Sequence, residues 1–222
     1  LDIIGHGFSD RPKIPYTSET YIHFLRDFMD GVGIEKATLI GNSMGGGIAW
    51  AMAILFPERV NRLILIDSVP PDVLNQVNND SFKMLVAIKN IPLLPYLVFA
   101  SRNRDSIKQI LRECVDDTQL ITSDIVDRQY QIFRIKGTTW VLYSNLKNAD
   151  KAKRLKDSLS LLRHPTLLIW GEKDLIFPPS VGEGLHRIIK NSKIQIIKGS
   201  GHIPMWETPD EVNQAILDFL KE

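Results

Sequence analysis

The sequence predicts an α/β fold: a mostly parallel sheet flanked by helices and interrupted by a long helical insertion. Three observations carry this. Short apolar runs at residues 37–40, 62–67, 166–170 and 194–197 alternate with stretches of helical periodicity. Strands that alternate with helices pack as a parallel sheet. The run Gly41-Asn42-Ser43-Met44-Gly45-Gly46 passes straight from the first strand into the helix that begins Gly47-Ile48-Ala49-Trp50. Between about Ser68 and about Leu159 the strand signal vanishes and only helical stretches remain.

Taken in chain order, Thr17 or Ser18 is placed to cap a helix. Tyr21, Phe24, Leu25 and Phe28 follow at helical spacing, and Gly31 and Gly33 mark its end. The helix after Ser43 ends near Phe56-Pro57, and residues 62–67 form the next strand. Amphipathic stretches at 81–91, 105–114 and 123–135 make up the insertion. The α/β rhythm resumes at His164-Pro165, and a last helix over residues 209–220 puts Val212, Ile216, Phe219 and Leu220 on one face. The expected division is a first core part at 1–68, a helical cap at 69–159 and a second core part at 160–222.

The chemistry is concentrated at strand ends. A serine on a tight turn between strand and helix sits in a strained backbone position with its hydroxyl projecting from the sheet. Gly41 and Gly45 let backbone approach where side chains would collide. The helix N-terminus supplies free N–H groups and partial positive charge, so the Met44 N–H is a candidate oxyanion donor. The plain alternative is a glycine-rich turn. Two later segments argue for more. Thr166-Leu167-Leu168-Ile169-Trp170 runs into Gly171-Glu172-Lys173-Asp174, and Ile194-Gln195-Ile196-Ile197 precedes Gly199-Ser200-Gly201-His202. A serine hydroxyl needs an imidazole to take its proton and a carboxylate to hold the imidazole tautomer. Ser43, Asp174 and His202 offer these three groups at three strand ends.

In that order and setting, the sequence resembles the α/β-hydrolase superfamily, in its serine hydrolase branch. Asp2-Ile3-Ile4-Gly5-His6-Gly7-Phe8-Ser9 is similar to the family's D-x-x-G-x-G-x-S loop. Trp170-Gly171-Glu172-Lys173-Asp174 is similar to its W-G-x-x-D segment, and Gly201-His202 through Glu207 to its G-H-x-x-x-x-E segment. The G-N-S-M-G-G form of the turn resembles small lipases or esterases and the C–C bond hydrolases of aromatic ring breakdown. The resemblance implies Ser43 as nucleophile, His202 as base and Asp174 as orienting acid in ester hydrolysis through an acyl-enzyme. Some family members take the acid from the strand that ends at Asp67 here, which makes Asp67 a competitor. The resemblance also implies that several strands and a second oxyanion donor precede Leu1, so the N-terminal strands are expected to be absent from this chain. An aspartate in place of Ser43 would suggest a dehalogenase or epoxide hydrolase.

For substrate contacts, Ile91-Pro92-Leu93-Leu94-Pro95-Tyr96-Leu97-Val98-Phe99 is the most apolar stretch of the insertion. Leu94, Leu97 and Val98 are expected to line an acyl pocket, against the alternative of a helix packed on the core. Arg102, Arg104 and Lys108 read as a solvated face, Glu172 as a surface turn residue, and His23, His164 and His186 as structural or exposed. A C–C hydrolase would need a cationic site for a substrate carboxylate, and a slow-turnover binding protein could keep the same three residues.

Composition narrows the classes. A net charge of +1 gives no electrostatic reason for a nucleic-acid or anionic-membrane partner. Cys114 is the single cysteine, which excludes an internal disulfide. No apolar run approaches the roughly 18 residues of a transmembrane span. No His/Cys/Asp group has metal-ligand spacing along the chain and no dinucleotide fingerprint occurs, so the expected chemistry uses no cofactor. The expected partner is a small-molecule ester. A secretion signal would lie ahead of Leu1, which leaves the compartment open.

Overall fold

A computed structural model describes the whole chain, with the side chains of all residues except 150 and 152. Helix α1 (Ser18–Gly31) is capped by Thr17, whose hydroxyl accepts from the Thr20 N–H, so the sequence capping signal holds. Strand β1 (Ala37–Asn42), helix α2 (Met44–Leu55) and strand β2 (Val60–Ile66) form the first βαβ unit. Helices α3 (Val73–Gln76), α4 (Asp80–Ile88), α5 (Leu94–Ala100), α6 (Arg104–Glu113), α7 (Ser123–Arg134) and α8 (Thr138–Asn148) follow with no strand among them. Strand β3 (Thr166–Gly171), helix α9 (Pro179–Ile188), strand β4 (Ser192–Ile197), the short α10 (Pro204–Glu207) and α11 (Pro209–Lys221) close the chain.

The four strands lie side by side in the order β1-β2-β3-β4, and every pairing is parallel. Alternate side chains of a strand face opposite sides of its sheet. Leu63, Leu65, Leu168 and Trp170 accordingly pack on one side with Trp50 and Met52 of α2 and Leu185 of α9. Ile64, Ile66, Leu167 and Ile169 pack on the other side against Val212, Ala215 and Phe219 of α11. Strands buried on both faces read as unbroken apolar runs, which is why the sequence exposes them so clearly. Helix α2 lies deep in the first cluster, with Ile48 through Ala53 all buried, and it is correspondingly apolar on every side. β1 is an edge strand, and its Ile40 is 52% exposed.

The Asp2–Ser9 segment is a loop tied to itself: the Phe8 N–H donates to Asp2 Oδ2 and the Ser9 hydroxyl to Asp2 O. Gly5 and Gly7 take positive φ there, at 87° and 52°. The sequence reading passes over α8. Its buried face is Thr138, Val141 and Ser144, and the Ser144 hydroxyl accepts from the Tyr16 N–H at 2.8 Å. A face of mixed polarity gives no apolar stripe for periodicity to detect.

Candidate active site

The C-terminal ends of the parallel strands converge on one site. Ser43 stands between β1 and α2 at φ 52° and ψ −116°, a strained backbone conformation for a residue with a side chain. Three backbone hydrogen bonds hold it there: its N–H donates to Ile66 O, and its carbonyl accepts from Val69 and Gly47. A side chain at Gly41 would run into the Gly45 backbone, and one at Gly46 would strike Ser68. At Gly45 a methyl group would meet nothing. The close approach therefore rests on Gly41 and Gly46, a correction to the expected pair of Gly41 and Gly45. Met44 opens α2, so its N–H belongs to the first turn and has no acceptor within the helix.

Asp174 and His202 meet. His202 Nδ1 donates to Asp174 Oδ2 at 2.8 Å, and both residues are buried. The other carboxylate oxygen accepts from the Ile176 and Phe177 N–H groups, at 2.7 and 3.1 Å. With Nδ1 bound to a carboxylate, the imidazole presents Nε2 as its acceptor. The His202 loop is fastened by residues that the motifs contain but to which the sequence reading assigns no role. The Asn42 amide donates to His202 O and Ile66 O, and the His202 N–H donates to Cys114 O. Glu207 accepts from the Gly201 N–H and from the Asp116 N–H, joining this loop to the helical segment. The signal for Asn42 and Glu207 lay inside the motifs themselves, beside Ser43 and in the segment after His202. A side chain at Gly171 would collide with Gly201, so glycine at the end of β3 is what lets the two loops touch.

Asp67 lies beside this pair. It takes a positive φ of 42°, is fully buried, and accepts from the Gly171 N–H through Oδ1. The imidazole bonds Asp174 rather than Asp67. Burial and then the neighbouring Asp174 charge raise the Asp67 pKa well above the usual carboxylate range. Donor atoms of Asp67, Asp174 and His202 all lie within 4.8 Å of one another, a potential metal-binding group that spacing along the chain conceals. Within the group, His202 Nδ1 bonds Asp174, and Asp67 Oδ2 is buried without a hydrogen-bond partner among the described residues.

Ser43, Met44 and His202 share the wall of a cavity of about 420 Å³. No hydrogen bond joins the Ser43 hydroxyl to the His202 ring among the described residues, and such contacts tighten when substrate is bound. The rest of the wall is almost wholly apolar, with Trp50, Leu74, Phe82, Leu85, Phe99 and Phe133 among its side chains.

The expected acyl-pocket residues are not in that wall. Leu97 is 60% exposed, and Leu94 and Val98 flank the buried stripe of α5 without reaching the cavity. Pro95 and Phe99 are the α5 residues turned inward, four apart on one face of the helix. Arg102 is also corrected: it lines the cavity and stacks over the Phe99 and Phe133 rings, rather than belonging to a solvated face. Glu172 is exposed, His23 is exposed against Phe56, and His164 and His186 bond Pro57 O and Ser192 Oγ, as structural residues do. Burial, and then nearby carboxylates, push the Cys114 thiol up to about 12, so it stays protonated.

The family model for the alpha/beta hydrolase fold matches residues 1–209, and the chain belongs to that family. Its sequence is 29% identical to mouse (Mus musculus) epoxide hydrolase 4 over 238 residues, covering 100% of this chain and 65% of that protein. It is 28% identical to a 2-hydroxy-6-oxononadienedioate/2-hydroxy-6-oxononatrienedioate hydrolase of Paraburkholderia phymatum, covering 99% of this chain and 75% of the relative. The chain spans slightly less than two thirds of the length of several relatives it matches and three quarters of the hydrolase from Paraburkholderia phymatum. Its fold is similar to that of a thermophilic esterase from Thermogutta terrifontis, with TM-score 0.74 and 23% identity over 99% of this chain and 77% of that one. No helix among the described residues is long and apolar enough to cross a membrane.

Proposed function

We propose that this alpha/beta hydrolase cleaves carboxylic esters with a mostly apolar acyl group, through a serine acyl-enzyme. Ser43 attacks the carbonyl carbon. His202 Nε2 takes the hydroxyl proton and returns it to the departing alcohol. Asp174 holds the tautomer and balances the imidazolium. The Met44 N–H, backed by the α2 N-terminus, faces the oxyanion. Water then enters, gives a proton to His202 and attacks the acyl carbon; the bond to Ser43 Oγ breaks, and His202 returns the proton to that oxygen as the acid leaves. The observation that carries this reading is the buried Asp174–His202 hydrogen bond beside Ser43 in an apolar cavity. The segment 69–159 acts as the cap that supplies most of that apolar surface.

The relatives suggest two other reactions. Epoxide opening through an ester intermediate needs a carboxylate nucleophile, and position 43 is serine. C–C bond hydrolysis uses the same three residues on a different substrate. Fluorophosphonate labelling followed by a p-nitrophenyl ester series and a ring-cleavage diketone acid separates them. Labelling at Ser43 with turnover of medium-chain esters is the expected result. Labelling with turnover of only the diketone acid would assign C–C hydrolysis, and no labelling would remove the serine mechanism.

A further inference from the structure

A second cavity, of about 250 Å³, adjoins the first. The two share Phe99, Arg102, Phe133 and Leu142, so these four side chains form a partition between them. The two spaces differ in character. Arg102 is the one Lys, Arg, Asp or Glu side chain in the wall of the large cavity among the described residues. The small cavity collects Arg102, Arg134 and Lys136 and no acidic side chain.

Arg102 is an unusual residue for such a place. Its guanidinium lies over the Phe99 ring at 4.6 Å and over the Phe133 ring at 5.4 Å. Among the described residues no carboxylate pairs with it and no hydrogen bond engages its N–H groups. Burial lowers its pKa to about 10, with no neighbouring acid raising it. Even there the group is charged at neutral pH. Cation–π contact offsets part of the desolvation cost, but rings occupy only the faces of a guanidinium. Its edge N–H donors remain for a planar acceptor, and a carboxylate matches that edge with two parallel hydrogen bonds.

We propose that Arg102 anchors a carboxylate carried by the substrate: the apolar part of the ester fills the large cavity, and its anionic end reaches the partition where the small cationic cavity begins. Arg134 and Lys136 attract the anion without contacting the reacting bond. This deepens the ester reading and rests on it for the position of the scissile bond. Within the ester reading, the preferred substrate is a half-ester of a dicarboxylic acid rather than a simple fatty ester; a C–C hydrolase would use the same cationic site, so turnover of a ring-cleavage diketone acid in place of every half-ester would keep the anion site and overturn the half-ester.

The test pairs mono-p-nitrophenyl esters of linear dicarboxylic acids with p-nitrophenyl esters of monocarboxylic acids of equal carbon number. At the best chain length, the carboxylate ester is expected to have the higher kcat/KM by about tenfold or more, a ratio worth about 1.4 kcal/mol. In Arg102→Met this ratio falls toward one, and Arg102→Lys restores part of it. Raising the salt concentration reduces the ratio in wild type. Binding of the corresponding dicarboxylic monomethyl esters to the Ser43→Ala protein, measured by calorimetry, gives a readout free of turnover. If tighter binding of the anion depends on Arg102 there while no ester is hydrolysed, the ester reading fails and the anion site stands. No preference for the anion at any chain length overturns the proposal. So does a preference that survives Arg102→Met and disappears in Arg134→Gln or Lys136→Gln. If Arg102→Met does not fold, Arg102→Gln and the wild-type preference decide in the same way.

Discussion

The strand ends and the helical segment between β2 and β3 meet in one cavity, yet they are held by different forces. At the strand ends the backbone has almost no freedom. Ser43, Asp67 and Asp174 follow strands whose N–H and C=O groups are committed to a parallel ladder. Ser43 keeps a strained φ because Ile66, Gly47 and Val69 all bond its backbone. In the helical segment each helix satisfies its own backbone, and side-chain packing alone sets its rotation. Phe99 faces inward while Leu97, two residues away, faces water. The lesson is a division of labour. In the proposed mechanism, the groups that must be placed within tenths of an ångström sit on the sheet, and the groups proposed to select among substrates sit on helices whose packing can vary.

If that division holds, substitutions at the strand ends should stop turnover and those in the helical segment should redirect it. Ser43→Ala is the largest expected effect, a loss of about 10⁴-fold or more in kcat with folding retained. A rate above a tenth of wild type would remove Ser43 as nucleophile. Asp174→Asn comes next, with a loss on the order of 10³- to 10⁴-fold, because the imidazole loses the partner that fixes its tautomer. Asp67→Asn should cost about tenfold or less. The reverse order would move the acid to β2.

In the helical segment, Phe133→Ala should reduce kcat/KM for medium-chain esters about tenfold while changing acetate hydrolysis much less. The reason is that remote apolar contact supplies binding energy only to a chain long enough to reach it. Equal losses on both would make Phe133 scaffold. Leu97→Ser, at an exposed position outside the cavity, should alter neither rate nor stability by more than about 0.5 kcal/mol. A change in chain-length preference at Leu97 would restore the sequence-based expectation that the structure overturned.

Asp67 yields a prediction in pH rather than rate. Its carboxyl has a raised pKa when folded and an ordinary one when unfolded. Between those two values the folded protein binds the extra proton, so stability falls as pH rises through that window. An asparagine side chain at this position keeps the acceptor for the Gly171 N–H, tolerates the positive φ and carries no charge. Asp67→Asn should therefore flatten the decline and raise Tm at pH 7–8 by about 2–4 °C, the shift that about 1 kcal/mol produces in a domain of this size. A lower Tm with an unchanged pH slope would show that Asp67 is not protonated in the folded state.

The residue pattern alone was enough for the architecture and for naming Ser43, Asp174 and His202 as the candidate site. Buried parallel strands declare themselves as apolar runs such as Leu63-Ile64-Leu65-Ile66. A serine in a glycine turn between strand and helix leaves few backbone solutions. Asp174 and His202 were legible because the strands before them were. The helical segment was legible as helical and no further. Whether Leu97 or Phe99 enters a cavity depends on a rotation of about 100° per residue around the helix axis, and neighbouring helices decide that rotation. Arg102 shows the same limit most sharply. In the chain it stands among other charged residues and reads as surface; the stacking of Phe99 and Phe133, residues 34 positions apart in sequence, draws it into the wall. Charge is written in the sequence, but solvation belongs to the packed structure. The same separation explains why the pKa of Asp67, an ordinary carboxylate by its residue type, is raised by burial and by the neighbouring Asp174 in the packed structure.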